Sequence, residues 1–380
     1  MISFQPTEDE SAFIDVAKGV AKNKIRPAAR NSEENNSVDE AIIKEVSDLG
    51  FLSMELPESF GGLELPLIIQ VQILQALSYG DLGVVQGLPG AGDTASLIRL
   101  LPENEVLMTA KDQVIDKKAT IAFLDRTNSS EPWGDTVTVT AEDSGYMLDG
   151  ISQPVRLAAF ADYIVIAAND SEGALVLLCL DNDANQWKVE KGDYRLGLLA
   201  SGIARLSFKR EKVAVDNVIA TGKEARELMK KLKTRVNILQ AAKEVGLMEA
   251  ALDYATAYTS ERKAFGQEIA KFQGVAFRVA SMAMEVRVSN HLVWQAASQV
   301  EDETAEALAL RALHRAHKSL RYVTDSAVQL LGGHGFVQEF PVEKWMRDAQ
   351  AQVSLYGREQ DLLLQHGEQL INGTKEVAIP

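Results

Sequence analysis

The sequence predicts an α+β chain, mainly α: a helical N-terminal domain, a middle β-barrel or β-sandwich domain and a C-terminal four-helix bundle. Three observations predict it. The apolar residues recur every three to four positions in the first third, every second position between about residues 119 and 219, and every three to four again from about residue 224 onward. A chain of 380 residues exceeds one ordinary core and suits two or three packed domains. The expected divisions are 1–117, 118–222 and 223–380.

In the first segment, DEAIIKEVSDLGFLSMEL sets Ile42, Ile43, Val46, Leu49 and Leu52 on one helical face that closes near Gly50. PESFGG, from Pro57 to Gly62, is then a turn, because proline and paired glycines interrupt a helix. The middle segment offers TIAFLD, DTVTVTAE, YMLDG, YIVIAAN, ALVLLCL, WKVE and ARLSFKREKVAV, short β-branched or aromatic runs parted by Asp, Gly and Asn. Their spacing predicts an antiparallel barrel or sandwich. In the last segment VNILQAAKEVGLMEAALDYATAYTSERKAF, KFQGVAFRVASMAMEVRVSNHLVWQAASQV and TAEALALRALHRAHKSLRYVTDSAVQLL read as long bundle helices, the third stopping at Gly332 and Gly333.

Composition narrows the function classes. Apolar residues make up 46% and charged residues 24%, the balance of a core-forming protein. The formal charge of −15 argues against nucleic acid, which needs clustered Lys and Arg. Cys179 is the single cysteine, so there is no intrachain disulfide and no Cys-rich metal site. Its neighbourhood, ALVLLCL, reads as a buried strand and its thiol as packing. No metal site is expected from the five histidines. His314 and His317 read as surface residues of one helix, and His334 as a cap within a glycine turn. No apolar stretch reaches the roughly 20 residues of a membrane helix, and the start MISFQPTEDESAF lacks a secretory pattern. A cytoplasmic location is the expectation.

Two motifs carry candidate chemistry. In SERKAFGQEIAKFQ, Arg262 offers a planar fork suited to a diphosphate, Phe265 a flat face and Gly266 room for close backbone approach. The plain alternative is a helix-surface Arg, a core Phe and a turn Gly. In QLLGGHGF, Gly332 and Gly333 let the backbone meet a flat ligand, and Gln329 can both donate to and accept from an adenine or ribose. The plain alternative there is a glycine helix stop.

RKAFG, QLLGGHGF, the following FPVEKWMRDA, the upstream ESFGG and the strand run LGLLASGIARLSFKREKVAVDNVI together resemble the acyl-CoA dehydrogenase flavoproteins in order and spacing. The resemblance implies that family's three-domain fold, oligomeric assembly as a homodimer or homotetramer or with an unlike family subunit, FAD bound at a subunit interface, an acyl-CoA substrate and an electron-accepting flavoprotein as partner. By motif match, Arg262, Phe265, Gln329, Gly332 and Gly333, with Gln273 of the FQ pair, stand where one subunit meets its neighbour's FAD.

The ring and thioester side departs from the family pattern. Counted from RDA at Arg347 to Ala349, the family's base carboxylate falls on Tyr356, and a hydroxyl with a pKa near 10 is protonated at neutral pH. The alternative base, before a helical Arg, falls on Thr234 beside Arg235, the latter a candidate substrate residue. Glu359 is a weak substitute base, its plain reading a solvated charge beside Arg358 and Asp361. Asp125 and Glu131 are the remaining acids of a second family segment, while Pro154 replaces a flavin-covering Trp and Arg156 a Thr. The resemblance therefore implies a chain that completes a partner's FAD site within a hetero-oligomeric complex of lipid or sterol side-chain catabolism. Three readings stay open beside it: an active homotetramer with an atypical base, a flavin monooxygenase, and a cofactor-free scaffold.

Overall fold

The computed structural model describes residues 7–116, 119–127, 135–185, 187–190 and 195–371. Glu131 and the expected division at 117/118 lie outside the described residues. Among the described residues eight α-helices come first: α1 (Glu8–Val20), α2 (Arg26–Glu34), α3 (Glu40–Asp48), α4 (Leu67–Gly80), α5 (Leu82–Gln86), α6 (Thr94–Leu100), α7 (Glu105–Thr109) and α8 (Lys111–Asp116). Thr7 starts α1 with a capping box to Glu10, and Asp39 caps α3 through the Ala41 amide. The turn after α3 comes where the sequence places it, with Gly50 at φ 78 and Gly61 left-handed.

The strands β1 (Ile121–Asp125), β2 (Thr138–Glu142), β3 (Gly145–Ile151), β4 (Tyr163–Asn169), β5 (Leu175–Asp181), β6 (Lys188–Glu190), β7 (Arg205–Ala214) and β8 (Val218–Thr221) form two four-stranded sheets, ordered β1-β4-β5-β8 and β2-β3-β7-β6. They pack as a sandwich. Ile164, Ile166, Leu178 and Leu180 of the first sheet meet Val139, Leu148, Leu206 and Phe208 of the second. The outer face of the first sheet, with Val165, Ala167, Leu177 and Cys179, lies on helical residues such as Leu97, Leu228 and Leu232. A sheet buried on both faces needs continuous apolar strands, which is why YIVIAAN and ALVLLCL do not alternate. One expectation is corrected: β1 pairs parallel to β4, so the sheets are not wholly antiparallel. Strands joined by a long connection, here through the whole of β2 and β3, are free to run the same way.

The C-terminal segment holds α9 (Gly222–Glu261), a two-residue hairpin β9 (Lys263–Ala264) and β10 (Gln267–Glu268), then α10 (Gln273–Ser298), α11 (Ala305–Leu331), α12 (Val342–Leu355) and α13 (Glu359–Ile371). At 40 residues α9 is about 60 Å long. Its first turns pack Leu228 and Leu232 under the sheet, and its remainder packs Ile238, Ala242 and Val245 into the helical core with Leu313 and Leu320 of α11. It is the beam that joins sandwich to bundle. Helix α4 crosses it at Gly246, where a Cβ would stand 2.2 Å from the Gln75 carbonyl oxygen. A buried triad ties the segments together: Lys344 Nζ lies 2.8 Å from Asp81 and 2.6 Å from Asp348, and Asp348 accepts the Leu198 amide at 2.6 Å. Among the described residues no helix is long and apolar enough to cross a membrane, and no cluster of metal-ligating side chains occurs.

Candidate functional site

The sequence-derived residues fall into two groups with opposite environments. Arg262, Phe265, Gln273, Gln329, Gly332 and Gly333 are all exposed. The hairpin and the glycine turn are tethered at one end of the bundle: Tyr258, one turn before Arg262, shares a 2.8 Å hydrogen bond with His334 Nδ1. His334 stacks on Phe340 with ring centroids 4.7 Å apart, so it props the turn from behind. Phe265 is 95% exposed and sits at φ 53, a left-handed conformation rarely adopted by an aromatic residue. With Ile269, Phe272 and Val275 it lines an open apolar depression of about 310 Å³. A Cβ added at Gly266, Gly332 or Gly333 would meet nothing within 4 Å. Gly266 and Gly332 have positive φ, but Gly333 has neither that nor a packing neighbour to require a glycine.

The second group is interior. Arg156, on the turn after β3, sends Nη2 to Asp93 Oδ1 at 2.9 Å and Nη1 to the Gln86 carbonyl at 3.1 Å. Tyr356, at the C-terminus of α12, donates to Asp93 Oδ2 at 3.0 Å, and Gln240 of α9 donates to Oδ1 at 2.9 Å. The Gln86 amide bridges Gln240 and Gln352, each at 2.7 Å, and its oxygen accepts from Lys243 at 3.0 Å. Gln352 continues to Glu244 at 3.2 Å, and Glu244 to His317 at 2.9 Å. The N-terminal helices, the sandwich turn, α9 and α12 thus meet at one polar knot.

Electrostatics follow from two cations facing one carboxylate. Burial pushes the Asp93 carboxyl up, but Arg156, Lys243 and the Tyr356 hydroxyl outweigh it and hold it below the usual range. Burial and the Arg156 charge bring Lys243 down to about 7 against the pull of Asp93. Tyr356 is raised well above 10 by burial and by Asp93, against the opposing Arg156 charge. Its hydroxyl is a donor at neutral pH, not a base.

The other sequence-derived residues lie apart. Arg235 is buried, its fork taken up by Glu55 at 2.6 and 2.9 Å. Glu359 stands 3.9 Å from His314 and 3.8 Å from Arg321, while Arg358 pairs with Asp361. Asp125 pairs with Lys233 at 2.8 Å. Cys179 is buried and its thiol is pushed up to about 12, chiefly by burial. His317 corrects the expectation of a surface residue: it is fully buried on Glu244, because α11 turns that face into the bundle.

Asp93, Lys243, Gln86 and Gln240 were not singled out from sequence. Asp93 precedes α6 and reads as an N-cap, yet its carboxylate makes no capping bond. The one available signal was QAAKE inside an otherwise apolar helical stretch, where long polar residues on a buried face need partners.

The acyl-CoA dehydrogenase N-terminal domain family matches residues 7–100, and the acyl-CoA dehydrogenase C-terminal domain family matches residues 229–371. A short-chain-specific acyl-CoA dehydrogenase of Clostridium acetobutylicum is 27% identical over 367 residues, covering 92% of this chain and 94% of that one. The fold is similar to butyryl-CoA dehydrogenase of Megasphaera elsdenii, with TM-score 0.87 and 24% identity over 97% of this chain and all of that one. It is also similar to a glutaryl-CoA dehydrogenase of Mycobacterium smegmatis in complex with FADH2, with TM-score 0.85 and 17% identity over 97% and 96%.

Proposed function

The chain belongs to the acyl-CoA dehydrogenase family, and from that premise we propose that it completes the FAD site of a base-bearing family partner and does not run a site of its own. One observation carries the reading: the residues suited to the diphosphate and adenine are exposed, whereas Arg156 and Tyr356 at the ring and base positions are both bonded to the buried Asp93 carboxylate. At the exposed end a cofactor fits. Arg262 presents its guanidinium, Phe265 a flat apolar face, and Gly333 an unobstructed backbone that no described neighbour requires. At the interior end it does not fit: the residues that the resemblance gives to the ring side, Arg156 and Tyr356, spend their donors on the Asp93 carboxylate.

In the complex, FAD supplies the acceptor for the hydride removed in α,β-dehydrogenation of an acyl-CoA thioester. This chain's own residues bind and orient that cofactor. The reading of an active homotetramer that uses Tyr356 as base is disfavoured by a hydroxyl that donates to Asp93 and is raised well above 10.

The test is co-expression with a base-bearing relative followed by measurement of flavin per chain. The expected outcome is one FAD per unlike pair, reduced at least tenfold by Arg262→Ala in this chain alone. Full flavin occupancy with turnover of a simple acyl-CoA by this chain on its own would overturn the proposal.

A further inference from the structure

The interior knot does more than lack a carboxylate. Arg156 is 8% exposed and held at both terminal nitrogens, which bridge Asp93 and the Gln86 carbonyl of the helical N-terminal segment, while its Nε is buried without a partner and its own backbone belongs to the sandwich. The surroundings are tight. A Cβ on Gly92 would come within 3.0 Å of Arg156 Nη2, and the same Asp93 carboxylate is closed from the other side by Tyr356 and Gln240. The backbone is bent to deliver this side chain: Leu157, the next residue, is buried with φ 63 and ψ −1, a conformation a leucine rarely adopts. A charged side chain delivered at the cost of backbone strain, to a carboxylate that would otherwise be available as a helix cap, marks a fitted part and not a surface remnant.

We propose that Arg156 is an internal plug, its guanidinium pinned on Asp93 against Tyr356 so that it fills the ring-side half of this chain's own cofactor position. The proposal rests on the functional reading above, and it adds that restoring a carboxylate at Tyr356 is insufficient to wake the site. The chain is silent by occupation as well as by loss of a base.

Riboflavin carries the flavin ring without diphosphate or adenine, so its binding probes the plug alone. ADP carries the reverse and probes the exposed end alone. With the purified full chain, riboflavin fluorescence should stay unquenched by wild type and by Tyr356→Glu. Arg156→Thr should quench it saturably, with at least tenfold tighter binding than wild type. Arg156→Met, which refills the space without charge, should not gain binding. Quenching by wild type equal to that of Arg156→Thr, or an Arg156→Thr chain that melts cooperatively yet gains nothing, overturns the plug. If Arg156→Thr does not fold, Arg156→Ala is read in the same riboflavin assay: saturable quenching supports the plug, and a cooperatively melting Arg156→Ala chain that gains no quenching overturns it. Failure of ADP to bind the complex, with the riboflavin result intact, removes only the interface reading.

Discussion

The two ends of this molecule treat the same residue types in opposite ways. At the exposed end Phe265 touches only the edge of Phe272, and the Arg262 side chain and three glycines have no packing partner among the described residues, although Phe265 there holds a left-handed backbone and an apolar surface in water. In the interior, Arg156, Lys243, Tyr356 and three glutamines meet through short hydrogen bonds around one carboxylate. Glycine makes the same contrast: Gly246 is demanded by the crossing of α4 and α9, whereas nothing among the described residues demands Gly333. A residue whose cost is recovered inside the chain belongs to the fold. One whose cost is not recovered there points to something outside it.

The comparison is broken most forcefully in the interior. Asp93→Asn leaves Arg156 and Lys243 without a carboxylate, and breaking such a buried pair should cost about 3–5 kcal/mol, read from urea unfolding at pH 7. Lys243→Met should act in the opposite direction. Its folded pKa of about 7 lies below the unfolded value, so between about pH 7 and 10.5 the unfolded chain binds the extra proton and wild-type stability rises with pH. The Met variant should lack that slope, being more stable at pH 7 by roughly 2–4 kcal/mol after loss of the Gln86 hydrogen bond, with the gain shrinking toward pH 10. Equal pH slopes in the two proteins would show that Lys243 stays charged in the fold.

Tyr356→Phe removes one donor from a charged acceptor and should cost about 1.5 kcal/mol, again by urea unfolding. The smallest stability effect belongs to the other end. Phe265→Ala should leave the isolated chain within about 0.5 kcal/mol of wild type, because the ring is exposed, yet it should strip flavin from the assembled complex. A large loss of stability in the isolated chain would return Phe265 to the fold and erase the contrast.

Much of the architecture is local and therefore legible. The helical period of α3, the turn at Gly50, and the long runs that became α9, α10 and α11 need only near neighbours. The strands were legible as strands, but the parallel pairing of β1 with β4 was not, because register joins segments about 40 residues apart. His317 shows the same limit within a helix. Its spacing from His314 placed it on the helix, but only the packing of α11 on α9 decided that it faces Glu244.

The sequence by itself determined the element order, the family membership carried by RKAFG and QLLGGHGF, and the absence of a carboxylate at Tyr356. Only the tertiary structure decided what replaced it. Asp93, Arg156, Lys243 and Tyr356 are spread over some 260 residues, and no period or motif links them. Their meaning comes from being removed from water together, since burial is what turns one carboxylate into an obligatory partner for every donor around it.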